Sequence, residues 1–362
     1  MVSTEAELGR RSAEIAERIT GELRSADSQL RAIGLGMLPD HAINGGVAVS
    51  AVPAALMSTT EIRVNTTLGA MWRLWAKGKN VYAVHPDMAS ELWSYNLGTL
   101  PGALFRKLEH PNPVAVFAEP ETIGLPHGGR GRLLAIVFCG RHSEPSMRLR
   151  PTDDEQIDQL AAVAIAEPLN DDGSPVVEAG MSKPLLDFTH MSIPLAAEAR
   201  FTAFDLAKRI SDKAKQSSPS DQLVDLAQRV LKIAVYLCST EAEIVAPSPR
   251  GEGKSAKRGK QKKQAKEQKQ GPGSLLRVGW RLGPALKAAR QRAEGVRRTL
   301  AGAGEGTGKR QYPHRRGGHQ KTVWTGPGRA VPDSRLVAPY WVSLDLLDAD
   351  GAAPEGIIRP VR

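Results

Sequence analysis

Arg132-Leu133-Leu134-Ala135-Ile136-Val137-Phe138-Cys139 is a continuous apolar run that follows Gly128-Gly129, and it decides the fold. A continuous apolar run of this kind reads as a buried strand, and the expected picture is a sheet packed on helices. Val114-Ala115-Val116-Phe117 is a second such strand, reached through the proline-rich turn Leu108-Glu109-His110-Pro111-Asn112-Pro113.

The covering helices are legible on either side. Thr4-x-x-Glu7 is a capping-box pattern, and Leu8, Ile15, Ile19, Leu23 and Leu30 then share one helical face until Gly34. Leu68 to Trp75 and Pro86 to Tyr95 read as short helices. Glu198 to Lys215 carries Phe201, Phe204, Ala207 and Ile210 on one face. Asp221 to Cys238 carries Leu223, Leu226, Val230, Ala234 and Leu237, with Ser220 as its N-cap.

The second half reads differently. From Pro247 to Gly273 there is almost nothing apolar to offset the entropy of ordering, so residues 246–274 are expected to be a disordered Lys/Gln-rich linker. Leu275 to Leu282 restores order, a basic helix is expected from Pro284 to about Leu300, and Gly302 to Gly308 breaks it. Lys321 to Thr325, Val337 to Leu344 and Ile357 to Val361 are strand candidates for a small sheet. The expected class is α+β: an N-terminal mixed sheet packed with helices over residues 1–245, the basic linker, and a C-terminal domain, residues 275–362, of a basic helix plus small β-sheet.

Charge divides along the same line. Of 49 basic and 39 acidic residues, 22 and 4 fall within residues 250–329, which leaves 27 basic and 35 acidic in the rest. A basic C-terminal part on an acidic body predicts that the former meets a polyanion such as RNA or a ribosomal surface. No apolar run reaches the roughly 18 residues of a membrane span, and Met1-Val2-Ser3-Thr4-Glu5 has no export signature, so no membrane partner is expected. Cys139 and Cys238 sit in apolar surroundings without CxxC spacing and read as core thiols of a cytoplasmic protein.

The densest chemistry is Pro313-His314-Arg315-Arg316-Gly317-Gly318-His319, followed by Trp324-Thr325-Gly326-Pro327-Gly328-Arg329. Imidazoles can exchange protons near neutral pH and guanidinium groups fork onto phosphate, so His314 and His319, with an arginine between them, are the candidate catalytic residues for a phosphodiester. Arg315, Lys321, Trp324, Arg329, Lys309 and Arg310 are the candidate nucleic-acid-binding residues around them. A surface strand with solvated histidines explains the same pattern as well. A zinc half-site from His314 and His319 lacks two further ligands nearby, and Gly302 to Lys309 lacks the Lys-Ser/Thr pair of a phosphate-binding loop. No cofactor is expected.

Four segments in order resemble a known family: Leu108-x-His110-Pro111-Asn112-Pro113; Ile233-Ala234-Val235-Tyr236-Leu237-Cys238-Ser239 with Glu243-Ile244; Val278-Gly279-Trp280-Arg281-Leu282-Gly283 with Ala285-Leu286; and His314-x-Arg316-x-x-His319 with Gly326-Pro327-Gly328-Arg329. Together they resemble the anti-CRISPR family that inhibits type V-A systems. Gln320 and the Lys/Gln insert depart from its pattern. The resemblance implies a mobile-element protein that recognises the amino-terminal segment of the effector nuclease as it leaves the ribosome and causes loss of its message, with His314, Arg316 and His319 as the catalytic positions that carry over. Two routes to that loss stay open, metal-independent RNA cleavage by this chain and recruitment of a host nuclease. A rival function is a non-enzymatic nucleic-acid-binding accessory protein of a plasmid or phage.

Overall fold

The computed structural model describes residues 4–32, 68–69, 71–76, 78–108, 112–139, 159–178, 183–240, 242–246, 275–288, 291, 314–316, 319–329, 331–337 and 340–342. Helix α1 is Glu5–Ala32. Thr4 Oγ1 accepts from Glu7 N at 3.3 Å, the expected cap. Residues 71–76 are helical. Then come β1 (Val81–Val84), α2 (Pro86–Trp93), β2 (Leu100–Pro101), a 3₁₀ turn (Gly102–Lys107), β3 (Val114–Phe117), β4 (Thr122–Gly124), β5 (Arg130–Cys139), β6 (Gln159–Leu169), β7 (Asp187–Pro194) and β8 (Arg200–Phe201). Helices α3 (Ala203–Lys213) and α4 (Asp221–Leu237) lead to β9 (Ile244–Val245), β10 (Leu275–Val278), β11 (His314–Arg316), β12 (His319–Thr325), β13 (Val331–Val337) and β14 (Tyr340–Val342).

The main sheet runs β7-β6-β5-β3-β1-β10-β9, with β4 paired to β5. Its centre, β3-β1-β10, is parallel; the pairs from β3 outward to β7, and β10 with β9, are antiparallel. Both faces are covered. One core joins Tyr82, Val84, Phe117, Ile136 and Phe138 to α2, α3 and α4. The other joins Val81, Ala83, Val116, Ala135 and Val137 to Leu8, Ile19 and Leu23 of α1 and to Met71 and Trp75. The absence of alternation in β5 is thus explained by two coats of helix. Burial pushes the Cys139 thiol up to about 12, which leaves it a packing residue.

Several expectations change. Glu198 to Lys215 is helical only from Ala203, because Arg200–Phe201 is spent on pairing with β2 and Thr202 caps the helix reciprocally with Asp205. The buried face of α3 runs through Ala203, Leu206 and Ala207, and Phe204 is 51% exposed. Strands β6 and β7 carry no element in the sequence reading. Leu160 to Ala166 is rich in alanine, a weak strand former, and registers only because it pairs along all of β5. Val337 to Leu344 is divided between the end of β13 and β14. The linker from residue 247 to 274, the basic helix beyond residue 291, and Ile357 to Val361 lie outside the described residues. The basic helix is present over residues 282–288.

β10 is an interior strand of the main sheet, paired parallel to β1 from Val81↔Leu275 to Val84↔Val278. Residues on both sides of the 246–274 stretch therefore build one sheet. Two groups secure the turn that follows. Trp280 Nε1 donates to the Ala83 carbonyl at 2.8 Å. Glu243 accepts from the backbone of Arg281 and Leu282, capping residues 282–288. Burial alone would raise the Glu243 carboxyl, but these donors outweigh it and hold the group below the usual carboxylate range.

At the head of α2, His85 is 6% exposed and its Nδ1 accepts from Asp87 N at 3.2 Å. Burial lowers its pKa, against the opposing pull of Asp87. The unfolded chain, titrating near the usual value of about 6.5, takes up this proton first. The neutral His85 therefore contributes stability that is full above that value and is lost as pH falls toward the lower folded value. Thermal midpoints followed from about pH 7.5 to about pH 5 should fall more steeply for the native chain than for His85→Asn, which keeps a cap acceptor without the titration.

Candidate nucleic-acid interface

The glycine-rich end of the His/Arg segment is a hairpin loop. β12 and β13 pair antiparallel from His319↔Val337 to Thr325↔Val331. Gly326 and Gly328 have φ of 79° and 63°, and Arg329 follows at 52°. A side chain at either glycine would be strained, which accounts for Gly-Pro-Gly at this turn. Arg329 N closes the loop on the Gly326 carbonyl at 3.0 Å.

Alternation along β12 places His319, Lys321, Val323 and Thr325 on one face and Trp324 on the other. The register sets Lys321 directly opposite Arg335. His319, Lys321 and Arg335 are all exposed, so one hairpin face presents two opposed cations beside an imidazole. Like charges in direct cross-strand opposition are destabilising unless an anion lies between them. Asp333 does not neutralise this face. It is 6% exposed, and its carboxylate accepts from Lys107 Nζ at 2.8 Å.

The hairpin is anchored to the body at several points. Lys107 belongs to the 3₁₀ turn; Ser239, just after α4, donates to the Ser334 carbonyl at 3.1 Å; and His319 bridges to Asn96. On the other face the Arg200 guanidinium stands 5.1 Å from the centre of the Trp324 ring, which is 38% exposed. A guanidinium over a half-exposed indole is a ready platform for a nucleobase. Sequence reasoning named Lys321 and Trp324 but missed Arg335 and Arg200. Arg335 could have been found from the hairpin register, had the Gly-Pro-Gly turn been used to align the strands. Nothing in the linear pattern signals Arg200.

The remaining candidates are distributed as follows. His314, Arg315 and Arg316 form β11, which pairs with β14 at Val342, Trp341 and Tyr340. The two histidines thus stand on strands with different partners, His314 in the β11–β14 ladder and His319 in the β12–β13 ladder. Arg329 is exposed at the hairpin loop. Lys309 and Arg310 lie outside the described residues. Among the described residues no three His, Cys, Asp or Glu side chains converge as a metal site would need, and no helix is long and apolar enough to cross a membrane.

Fold and site together define an α+β protein whose doubly covered mixed sheet carries a docked, cationic β-hairpin. Residues 82–344 match the AcrVA2-like family, the anti-CRISPR type V subtype A2 family, and the chain belongs to it. Membership assigns an anti-CRISPR role directed at the CRISPR effector machinery. Among solved structures the chain is similar to one described as the crystal structure of AcrVA2, with 13% identity, a TM-score of 0.42, and coverage of 94% of this chain and 98% of that one. No curated protein matches.

Proposed function

We propose that this anti-CRISPR protein recognises a nascent target polypeptide and causes loss of the message encoding it, with the cationic hairpin facing RNA. The observation that carries the reading is the exposed cross-strand pair Lys321 and Arg335 beside His319, an arrangement that a phosphate chain would stabilise. The charge division along the chain supports it: residues 1–245 form the acidic peptide-binding part, residues 246–274 a basic connection, and residues 275–362 the RNA-facing part, tied into the sheet by β10. In this reading His314 and His319 serve as proton-transfer groups and Arg316 neutralises developing phosphate charge, with Arg315, Lys321, Trp324, Arg329, Lys309 and Arg310 holding the strand. In this reading the protein acts in the cytoplasm, beside the ribosome, as an anti-defence factor of a phage or plasmid.

A second reading, binding without cleavage, is favoured by the two histidines standing in different ladders. Both readings need the peptide, and one comparison tests it. Co-expression with an effector nuclease should deplete its message. A synonymously recoded message, with the same peptide and a different RNA sequence, should be lost equally. A frameshifted message that keeps the RNA sequence should survive. Equal loss of the frameshifted message would remove peptide recognition from the function.

A further inference from the structure

A cavity of about 320 Å³ opens where the start of α2 meets the chain leaving β3, at the carboxyl ends of parallel strands β1 and β3. This is the edge at which α/β sheets bind ligands. Its aromatic walls are Trp93 and Phe117, with ring centres 5.8 Å apart and planes at 56°. Its charged lining is carboxylate: Asp87 from the first turn of α2, and Glu119 and Glu121 after β3. The positive end of α2, roughly half a charge, would by itself draw an anion. Asp87 and Glu119 outweigh it even with Glu121 paired to Arg229, so phosphate is repelled and an ammonium or guanidinium is attracted, with the aromatic faces adding to the attraction.

Two of the protein's own cations already show this preference. Arg229 lies 2.8 Å from Glu121 and 5.1 Å from the centre of the Trp93 ring. It is fixed there, since its side chain is 16% exposed and also pairs with Asp225 at 2.9 Å. Lys287 is different. Its ammonium stands 2.8 Å from Asp87 on a side chain that is 49% exposed. A single ion pair on a flexible, half-exposed stem is worth about 1 kcal/mol or less, so another cation can take its place. The volume, at the small end of ligand pockets of about 300–1,000 Å³, suits one inserted side chain.

We infer that this pocket receives a lysine or arginine side chain of the bound polypeptide, which displaces Lys287 from Asp87. The inference rests on the peptide-recognition reading above and assigns it a specificity pocket. The pocket and the cationic hairpin would then divide the two ligands by charge, peptide at the carboxylates and RNA at Lys321 and Arg335.

Fluorescence polarisation on the full chain tests it, with a labelled synthetic peptide of the amino-terminal segment of a type V-A effector nuclease. In companion peptides each Lys is replaced by norleucine and each Arg by citrulline. One such replacement should weaken binding about tenfold. Glu119→Gln, at an exposed position that leaves the core untouched, should weaken the native peptide similarly and that neutral peptide no further. Lys287→Ala should tighten binding about threefold by removing the internal competitor. Independent addition of the two neutralisations, or an unchanged affinity in Lys287→Ala, overturns the pocket while peptide recognition stands. A native chain that binds none of the peptides overturns peptide recognition, and the pocket with it.

Discussion

Replacing Gly283 with valine is expected to lower the unfolding free energy by about 3 kcal/mol, the range of an overpacked, rigid contact. A Cβ at Gly283 would lie 2.7 Å from Met88 N, 3.1 Å from Met88 Cβ and 3.2 Å from His85 Nδ1. The first of these atoms is backbone and cannot rotate away. The helix over residues 282–288 crosses the head of α2 at this point, and its neighbour Gly279 adds a φ of 68° with Met88 Cγ only 2.4 Å from a Cβ. Relief would require shifting α2, which carries Met88 and Leu92 into the core. Urea unfolding followed by circular dichroism measures the loss. Gly98→Ala is the control, since nothing lies within 4 Å of its Cβ position, and it should stay within about 0.5 kcal/mol of the native chain. A Gly283→Val protein as stable as that control would show that the two helices are not in tight contact.

Reversing both cations of the hairpin, Lys321→Glu with Arg335→Glu, should weaken binding of single-stranded RNA about a hundredfold at low salt. Two phosphate contacts are lost, so the slope of log affinity against log salt should become shallower by about 1.4. Fold stability should barely change, because one exposed like-charge pair replaces another. Filter binding across a salt series reads the slope. An unchanged slope would move the RNA contact away from this face. Alone, His319→Ala separates the chemistry from the binding. It should spare RNA affinity and abolish message loss if the chain itself cuts, whereas message loss retained in that variant would point to binding without cleavage or to a recruited nuclease.

Much of this was legible beforehand, for reasons specific to particular residues. The apolar runs at Val114 to Phe117 and Arg132 to Cys139 identified strands of the buried sheet, and Ser220 marked the start of α4, where its Oγ accepts from Leu223 N. The failures are equally specific. Phe201 and Phe204 looked like one helical face because a period of three also fits a residue in a strand followed by one in a first turn. β6 was invisible because its alanines take their strand conformation from pairing with β5 and carry little preference of their own.

By itself the sequence determined the class of fold and the polarity of the molecule, since burial patterns and charge are properties of local composition. Gly326 and Gly328 carry the hairpin's need for positive φ in their residue type, although the sequence reading paired no strands across them. Only the tertiary structure decided that β10 joins the main sheet across the basic stretch, that Arg200 stands over Trp324, and that Asp87, Glu119 and Glu121 gather around one aromatic pocket. These are pairings between residues far apart in the chain. They are set by strand register and by which helix covers which face, and no local preference encodes either.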